Sequence, residues 1–317
     1  MRDSIEIQGL TKTYGYGSKK FTALDTVTLT IGKGMFGLLG PNGAGKTTMM
    51  KILATLLKPS AGKVSVYGYD LLKNRKEIRS FLGYLPQEFG VYPSLYTYEF
   101  LDYIARLNGL RKRKQRREAV EKTLSITNLQ DLRERKIRTL SGGMVRRLGI
   151  AQALVGSPQL LIVDEPTSGL DPEERIRFRN LLTEISSSVT IIMSTHIVND
   201  ISSSCSNLAL LHLGKIVYWG NPSKLLDNAR GKVWILKIKS EELGRLKENV
   251  SVISMVMQPA SIEVRAVAES IPANAGCDAV SVEPTLEDAY IYFMEKLTGL
   301  KLHEYEELYN PANAGSR

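Results

Sequence analysis

The chain is 317 residues long, 43% hydrophobic and 24% charged, with a formal net charge of +9. This composition predicts a folded protein with a real hydrophobic core, and the length allows one large domain and a smaller one. No uninterrupted apolar stretch approaches the ~20 residues that a membrane-spanning helix needs. The N-terminus lacks the apolar run of a signal peptide, so the chain is expected to stay in the cytoplasm.

The first two-thirds of the chain alternate short apolar runs with helical patterns, which predicts a mainly parallel sheet flanked by helices. The predicted strands here are Ile5–Leu10, Val27–Ile31, Met35–Leu39, Leu160–Val163 and Val189–Met193. A helix is predicted from Lys46 to about Leu57, because Pro59 and Gly62 end the helical pattern. The fold class is therefore α/β.

A charged segment lies in the middle of the chain. Residues 94–140 contain no strand-like run and much charge, so they are predicted to form a helical insertion. Residues 106–147 hold 14 Lys and Arg against four acids, so the other residues together are nearly neutral. The basic stretch Arg111–Arg117 could neutralise nucleic-acid phosphates, but it lacks interleaved aromatic residues for base stacking. A solvated helical face is the favoured interpretation.

The pattern changes near Gly220-Asn221-Pro222, where a second domain is predicted to begin. Two alternating runs predict half-exposed strands, Val233–Lys239 and Ile262–Val267. A helix is predicted to begin after Thr285 as N-cap, with Asp288 three residues on. Its predicted apolar stripe is Leu286, Tyr290, Phe293, Met294 and Leu297. The predicted organisation is a first domain over 1–222, a small α+β domain over 223–305 and a tail over 306–317.

Residues 40–47, Gly40-Pro41-Asn42-Gly43-Ala44-Gly45-Lys46-Thr47, match the pattern G-x-x-x-x-G-K-[ST] between a predicted strand and a predicted helix. The glycines let backbone N–H groups turn inward, and the helix N-terminus adds partial positive charge for phosphate. Lys46 is expected to reach the β- and γ-phosphates of a nucleotide, and Thr47 to bind Mg²⁺. The other predicted nucleotide contacts in this region are Gly40, Asn42, Gly43, Ala44, Gly45 and Thr48. A plain glycine turn is the alternative, and the match in its strand–loop–helix context argues against it.

Two acids, Asp164 and Glu165, directly follow the apolar run Leu160–Val163. Ligands bind at the carboxyl ends of strands in parallel sheets, and two acids there would be costly without a cation or partner. Asp164 is expected to hold Mg²⁺ through water, and Glu165 to orient or deprotonate an attacking water. An acid that merely caps the strand is the weaker alternative.

His196 follows the next predicted strand. A histidine is usually a solvated or core residue, and that interpretation is kept for His212 and His303. Three apolar runs in succession end at chemically active residues, however, and His196 is the last of them. One sheet edge is therefore predicted to bring these residues together, with His196 as a sensor of the γ-phosphate.

The segment Leu140-Ser141-Gly142-Gly143-Met144 resembles the signature motif of ATP-binding cassette (ABC) proteins. Six motifs occur in the order of that family: the glycine loop, Gln87 in Leu85-Pro86-Gln87-Glu88, the signature, Asp164-Glu165-Pro166, Ser168-Gly169-Leu170-Asp171 and Ser194-Thr195-His196. The match covers roughly residues 3–225, and six motifs in order argue against coincidence. The resemblance implies a P-loop NTPase fold with an N-terminal antiparallel β portion, and ATP and Mg²⁺ as cofactors.

The resemblance also implies a head-to-tail pair of subunits, in which each ATP lies between one glycine loop and the signature of the other subunit. Ser141, Gly142 and Gly143 would contact the γ-phosphate of ATP held by the partner, because this sequence before a helix exposes backbone donors. A simple helix N-cap is compatible with that role. Asp171 would cap the helix that starts at Pro172 and would cross the interface.

The resemblance alone gives Gln87 and Tyr14 their expected roles. Gln87 would contact Mg²⁺ and transmit its occupancy to the helical insertion. Tyr14 would stack on adenine, with Tyr16 a less favoured substitute and ordinary strand packing the alternative. Met144 departs from the family, in which many members carry Gln, and this puts a ribose contact by that side chain in question.

The family powers membrane transport, so the resemblance implies a separate transmembrane permease and a place at the cytoplasmic face of the membrane. The helical insertion and the Gln87 region would form the docking surface. The paired subunit is expected to be a second copy or a related chain. The stretch Glu283–Tyr290 resembles the tail domain of cassettes that serve bacterial exporters of drugs, antibiotics, peptides or lipids, which favours export over import.

An ABC-type ATPase that acts on nucleic acid or ribosomes is the main alternative, and an importer subunit is another. Only 95 residues separate Lys46 from Ser141, which leaves no room for the long coiled coil of the repair ATPases. The chain carries one cassette, whereas the translation factors carry two. Its basic segment could lie near anionic lipid or a permease loop. A protein that binds ATP without hydrolysing it would lack a catalytic residue, and none is missing.

Overall fold

The computed structural model describes residues 3–202, 204–271 and 278–304, and it divides into two compact units after Gly220. The strands of the described residues, β1 to β14, are Ile5–Tyr14, Phe21–Ile31, Met35–Leu39, Ala61–Val66, Tyr69–Asp70, Leu82–Leu85, Leu160–Asp164, Thr190–Thr195, Asn207–His212, Lys215–Gly220, Val233–Ile238, Ser251–Met257, Ile262–Val267 and Asp278–Ser281. The α-helices, α1 to α10, are Lys46–Leu53, Arg75–Ser80, Thr97–Leu107, Arg113–Ile126, Gly142–Leu154, Pro172–Ser186, Val198–Ser202, Pro222–Ala229, Leu243–Asn249 and Leu286–Thr298. The predicted tail over 306–317 lies outside the described residues. The predicted domain limits stay a prediction.

A six-stranded sheet in the order β10-β9-β3-β8-β7-β6 forms the centre of the first unit. Every neighbouring pair from β9 to β6 is parallel, and β10 is antiparallel to β9. All residues of β3, β7 and β8 are buried, as expected for parallel strands covered on both faces. The predicted mainly parallel core is confirmed.

A second sheet of the first unit, in the order β2-β1-β4-β5, is antiparallel and confirms the N-terminal β portion. Its apolar side chains share one core cluster with α1 and the central sheet, including Ile5, Leu24 and Met49. Burial of each such side chain contributes about 1.5–3 kcal/mol. This shared core fixes α1, and therefore the glycine loop before it, against both sheets.

The first helix ends four residues earlier than predicted, at Leu53 rather than near Leu57. Thr55 adopts a positive φ of 62°, which ends the helical backbone. The guanidinium of Arg79 holds this turn, because it donates to the Thr55 hydroxyl over 2.7 Å and to its carbonyl over 3.0 Å. A tertiary contact thus decides where the helix ends.

The charged middle segment is helical, as predicted, and contains α3 and α4 followed by short 3₁₀ turns. Phe100 and Leu124 belong to a core cluster that also contains Leu148 of α5. The interpretation of Arg111–Arg117 as a wholly solvated face is wrong at Arg116, which is only 6% exposed. Arg116 is buried because Asp102 and two backbone carbonyls accept its hydrogen bonds.

The second unit has an antiparallel sheet, in the order β12-β13-β11-β14, together with α8, α9 and α10. Thr285 caps α10, as predicted, by accepting from the backbone N–H of Asp288. The predicted apolar stripe is wrong at Leu297, which is exposed, whereas Ile291 is buried. Across the described residues, no helix is long and apolar enough to cross a membrane.

Candidate active site

Three neighbouring strands of the central sheet bring the predicted site residues to one edge. Strand β8 lies between β3 and β7, with Leu39 paired to Thr195 and Asp164 paired to Ser194. The glycine loop, Glu165 and His196 follow directly after these strand ends. The predicted convergence at one edge is therefore seen in the structure.

The glycine loop needs glycine at positions where the chain passes close to other backbone. A Cβ at Gly40 would lie 2.2 Å from the carbonyl oxygen of Leu211, and one at Gly45 would lie 2.4 Å from that of Ala23. Gly45 also has a φ of 108°, in the region that favours glycine. Only a residue without a side chain lets the loop turn here and lead into α1.

Lys46 is buried in this loop and is held by three oxygen atoms. Its Nζ donates to the carbonyls of Gly40 and Pro41 over 2.9 and 3.1 Å. The same Nζ lies 3.1 Å from Oε1 of Glu165, and both side chains are no more than 6% exposed. The lysine of the loop and the acid after β7 are thus directly paired.

Glu165 also contacts His196, so three predicted site residues form a chain of contacts. Its Oε2 lies 2.5 Å from Nδ1 of His196. Glu165 has a left-handed backbone with a φ of 49°, and its N–H donates to the hydroxyl and the carbonyl of Ser194, both over 3.1 Å. Non-glycine residues in such conformations persist where neighbours hold them and cluster at active sites.

Asp164 is fully buried beside Thr47 and Ser194. The Ser194 hydroxyl donates to Oδ1 of Asp164 over 2.5 Å, whereas Oδ2 accepts no hydrogen bond from the described residues. Burial raises the pKa of the Asp164 carboxyl, and the hydroxyls of Ser194 and Thr47 oppose that shift. A hard cation prefers carboxylate and hydroxyl oxygens, so this buried oxygen fits a magnesium ion.

The signature segment is exposed at two of its residues. Ser141 caps α5 by accepting from the N–H of Met144 over 3.3 Å, and Ser141 and Gly142 are exposed. Gly143 is buried, and a Cβ there would lie 2.3 Å from Oε2 of Glu174. No hydrogen bond or ion pair among the described residues joins the signature to Lys46.

Asp171 caps α6, as predicted, and accepts from the N–H of Glu174 over 2.9 Å. Pro172 occupies the first turn of that helix, where its missing N–H costs nothing. Because a Cβ at Gly143 would also meet Glu174, α6 and the signature helix begin side by side.

Tyr14 lies near the start of α1, and its hydroxyl is 3.4 Å from that of Thr48. The amino group of Lys12 lies 5.0 Å from the centre of its ring. Tyr14 is 40% exposed and Tyr16 is 95% exposed, so Tyr14 has the defined position next to the loop helix.

Arg146 joins three segments of the site, although in the sequence it is one of many cations in the basic middle segment. Its guanidinium donates to the carbonyl of Gln87 over 2.7 Å and to that of Ser168 over 3.5 Å. It also lies 5.7 Å from the ring centre of Phe89, and burial lowers its pKa. The exposed Gln87 is thus tied through its backbone to the signature helix. No pattern in the sequence separates Arg146 from the other cations around it.

Comparison with known proteins places this geometry in a family. Residues 24–168 match the sequence profile described as ABC transporter. The chain is 34% identical over 80% of its length to the uncharacterized ABC transporter ATP-binding protein YxlF of Bacillus subtilis, of which it covers 82%. It is 33% identical to the Nod factor export ATP-binding protein I of Cupriavidus metallidurans, over 78% of this chain and 80% of that protein. It is 34% identical to the methionine import ATP-binding protein MetN of Corynebacterium diphtheriae, over 72% of this chain and 69% of that protein.

A solved structure agrees with these relatives. The dimeric ATP-binding cassette MJ0796, in a post-hydrolysis state bound to ADP and Pi, aligns with a TM-score of 0.62 at 26% identity. The alignment covers 68% of this chain and 98% of that one.

Proposed function

The chain belongs to the ABC transporter family as an ATP-binding subunit with ATPase activity, and from this we propose that it drives export of a substrate through a separate permease. The observation that supports ATP hydrolysis as the driving reaction is the contact chain of Lys46, Glu165 and His196 at the end of the central strands. It combines a phosphate-binding cation, a carboxylate base and an imidazole within hydrogen-bonding distance.

We assign each residue of this contact chain one role in hydrolysis. Lys46 transfers from Glu165 to the β- and γ-phosphates when ATP enters the glycine loop. The freed Oε1 of Glu165 then accepts a proton from water as the water oxygen bonds to the γ-phosphorus and the bond to the bridging oxygen breaks, which releases ADP. His196 holds Oε2 and orients the carboxylate. His196 also faces the γ-phosphate as a hydrogen-bond donor. The contacts with Lys46 and His196 thus fix both oxygens of the Glu165 carboxylate at the site.

Thr47, Asp164 and Gln87 would hold the magnesium ion that accompanies ATP. The buried Asp164 oxygen, which has no hydrogen-bond partner among the residues that the structure describes, and the nearby Thr47 hydroxyl support this assignment. The ion would neutralise charge on the phosphates. Tyr14 is assigned to the adenine ring, since it lies beside Thr48 at the start of the loop helix.

ATP is proposed to be hydrolysed at the interface of a head-to-tail dimer. Ser141, Gly142 and Gly143 would bind the γ-phosphate of ATP held by the partner, and Asp171 would cross the interface. Two observations support this: in the described part of the chain Lys46 has its hydrogen bonds and ion pair with Gly40, Pro41 and Glu165 and none with the signature, and the similar cassette MJ0796 is dimeric. A single chain thus supplies two separate halves of a site.

Export rather than import is supported by the tail motif Glu283–Tyr290 and by the similarity to a Nod factor export protein. Import is the second candidate, because the methionine import protein MetN is similar to the same extent. The chain would act at the cytoplasmic face of the membrane, docked on its permease.

The proposal is tested with Glu165→Gln. Purified variant is expected to bind ATP as tightly as wild type and to form stable dimers, with turnover lowered at least ~100-fold, because the amide cannot accept the proton. Glu173→Gln, on the exposed surface of α6, is the matched control and should keep the wild-type rate. Normal turnover in Glu165→Gln would refute the assigned base.

The direction of transport is measured with the same variant. Cells that express the permease with wild-type chain should accumulate less of an exported labelled antibiotic or lipid than cells with Glu165→Gln. If cells with the wild-type chain accumulated more of every labelled compound tested than cells with Glu165→Gln, import would be favoured instead.

A further inference from the structure

Helices α3 and α4 pack together and are joined by a short loop. The loop and the adjoining ends of the two helices carry a dense group of cations. We call this region the basic tip, and its exposed cations are Arg106, Arg111, Lys112, Arg113, Lys114 and Arg117. None of these six side chains forms an ion pair with any residue that the structure describes. Their charge is therefore available to an external partner.

Arg116 holds the loop of the basic tip in a defined conformation. Its Nε donates to Oδ1 of Asp102 on α3 over 2.7 Å. Its Nη1 donates to the carbonyl of Arg111 over 2.8 Å and lies 3.4 Å from that of Leu110. One buried guanidinium thus fastens the loop to α3, while the exposed cations on either side remain in solvent. An ordered loop loses less entropy on binding than a flexible one.

An apolar side chain accompanies these charges. Leu107, the last residue of α3, is 66% exposed, and Tyr103 one turn earlier is 41% exposed. Cations combined with exposed apolar side chains are typical of surfaces that rest on a lipid headgroup layer. Residues 106–117 contain no aromatic residue on which successive bases of a single strand could stack, and Tyr103 lies outside this run of cations.

We propose that the basic tip binds the anionic headgroup surface of a lipid bilayer, with Leu107 inserted at the headgroup level. The inference rests on the proposed function, because a subunit docked on a permease works beside a membrane. Each cation near such a surface strengthens binding roughly fivefold, so the cations of the tip would hold it against the membrane. Phospholipids with a net negative charge are the partner that complements it.

The experiment measures co-sedimentation of the full chain with phosphatidylcholine vesicles, with and without phosphatidylglycerol. The tip variant combines Arg111→Gln, Arg113→Gln, Lys114→Gln and Arg117→Gln. The control variant removes the same charge from four exposed lysines elsewhere in the first unit, by Lys20→Gln, Lys63→Gln, Lys73→Gln and Lys76→Gln.

Wild type is expected to bind the phosphatidylglycerol vesicles and to release them as salt is raised. The tip variant should bind at least ~10-fold more weakly, and the control variant within about twofold of wild type. Leu107→Gln keeps the charge and should weaken vesicle binding without changing binding to an oligonucleotide. Equal losses in the tip and control variants, or tip-dependent binding that is tighter for a duplex oligonucleotide than for these vesicles, would overturn the proposal.

ATP hydrolysis by the same variants separates this inference from the proposed function. The basic tip holds none of the residues assigned to catalysis, so the tip variant should hydrolyse ATP at the wild-type rate. Failure of the proposed function would appear as hydrolysis that does not depend on Glu165. Failure of the tip proposal would appear only in the vesicle measurement.

Discussion

At the scale of single residues, Ser194 forms hydrogen bonds with both acids of the candidate site. Its hydroxyl donates to Asp164 and accepts from the N–H of Glu165, whose backbone is left-handed. That conformation costs roughly 1–2 kcal/mol for a residue with a Cβ, and the hydrogen bonds from β7 to β8 offset it. Ser194 therefore helps to set the position of the assigned base.

Arg146 is predicted to be a positioning residue for the same site. Arg146→Met keeps an apolar side chain against Phe89 but removes the hydrogen bonds to the Gln87 and Ser168 carbonyls. Turnover is expected to fall roughly 10-fold, because small misplacements of catalytic groups are costly, while ATP affinity changes less than about twofold. Steady-state rates and nucleotide binding measure the two effects.

Arg138→Met is the matched control for Arg146→Met, since Arg138 is exposed and belongs to the same basic segment. It should leave both quantities unchanged. A variant at Arg146 that turns over like wild type would show that the guanidinium only fills space between these segments.

At the scale of elements, the tail motif Glu283–Tyr290 has a structural role of its own. The Asp288 carboxylate accepts from Nε and Nη2 of Arg265 on β13 and from the N–H and hydroxyl of Thr285. Burial raises the pKa of Asp288, but these hydrogen bonds outweigh it and hold the pKa below its ordinary value. The motif therefore fastens the start of α10 to the sheet of the second unit.

Arg265→Met is predicted to destabilise the second unit by about 3 kcal/mol at neutral pH, because it leaves the Asp288 carboxylate buried without its cation. The lowered pKa of Asp288 stabilises wild type above about pH 4, and that contribution is lost as the pH falls through the folded pKa. The variant should instead recover stability as the pH falls towards 4, since protonation removes the buried charge. Urea unfolding followed by Trp234 fluorescence in a Trp219→Phe background measures this.

Arg245→Met, on an exposed turn of α9, is the control for this measurement and should unfold like wild type. If Arg265→Met had the wild-type free energy of unfolding at every pH, the hydrogen bonds from Thr285 would be sufficient to stabilise the buried Asp288 carboxylate.

At the scale of the whole molecule, the loop and the signature are two halves of different composite sites in the proposed dimer. Complementation tests this directly. Lys46→Ala removes the phosphate-binding cation, and Ser141→Arg blocks the signature, so each variant alone should be inactive. A mixture should recover about a quarter of the wild-type rate, because half of the dimers contain one complete site.

The control is a mixture of Lys46→Ala with Thr47→Ala, in which every glycine loop is defective. It should recover no activity at any mixing ratio. An active Ser141→Arg variant, or mixed dimers that form without recovery, would contradict a composite site.

Local patterns were enough to predict the elements that lead to the candidate site. The continuous apolar runs predicted buried strands before Lys46, Glu165 and His196, because a strand covered on both faces needs apolar residues throughout. They could not predict the end of α1, which depends on Arg79 binding Thr55. Local patterns also could not predict the burial of Arg116, because the packing of α3 against α4 brings Asp102 next to it.

The sequence by itself determined the family, the order of the motifs and the kinds of residue at the strand ends. These follow from short segments whose spacing reflects backbone geometry. Only the tertiary structure decided that β8 lies between β3 and β7, that Glu165 pairs with both Lys46 and His196, and that Arg146 links Gln87 to Ser168. Such contacts join residues far apart in the chain, so they depend on how the elements pack and leave no local pattern.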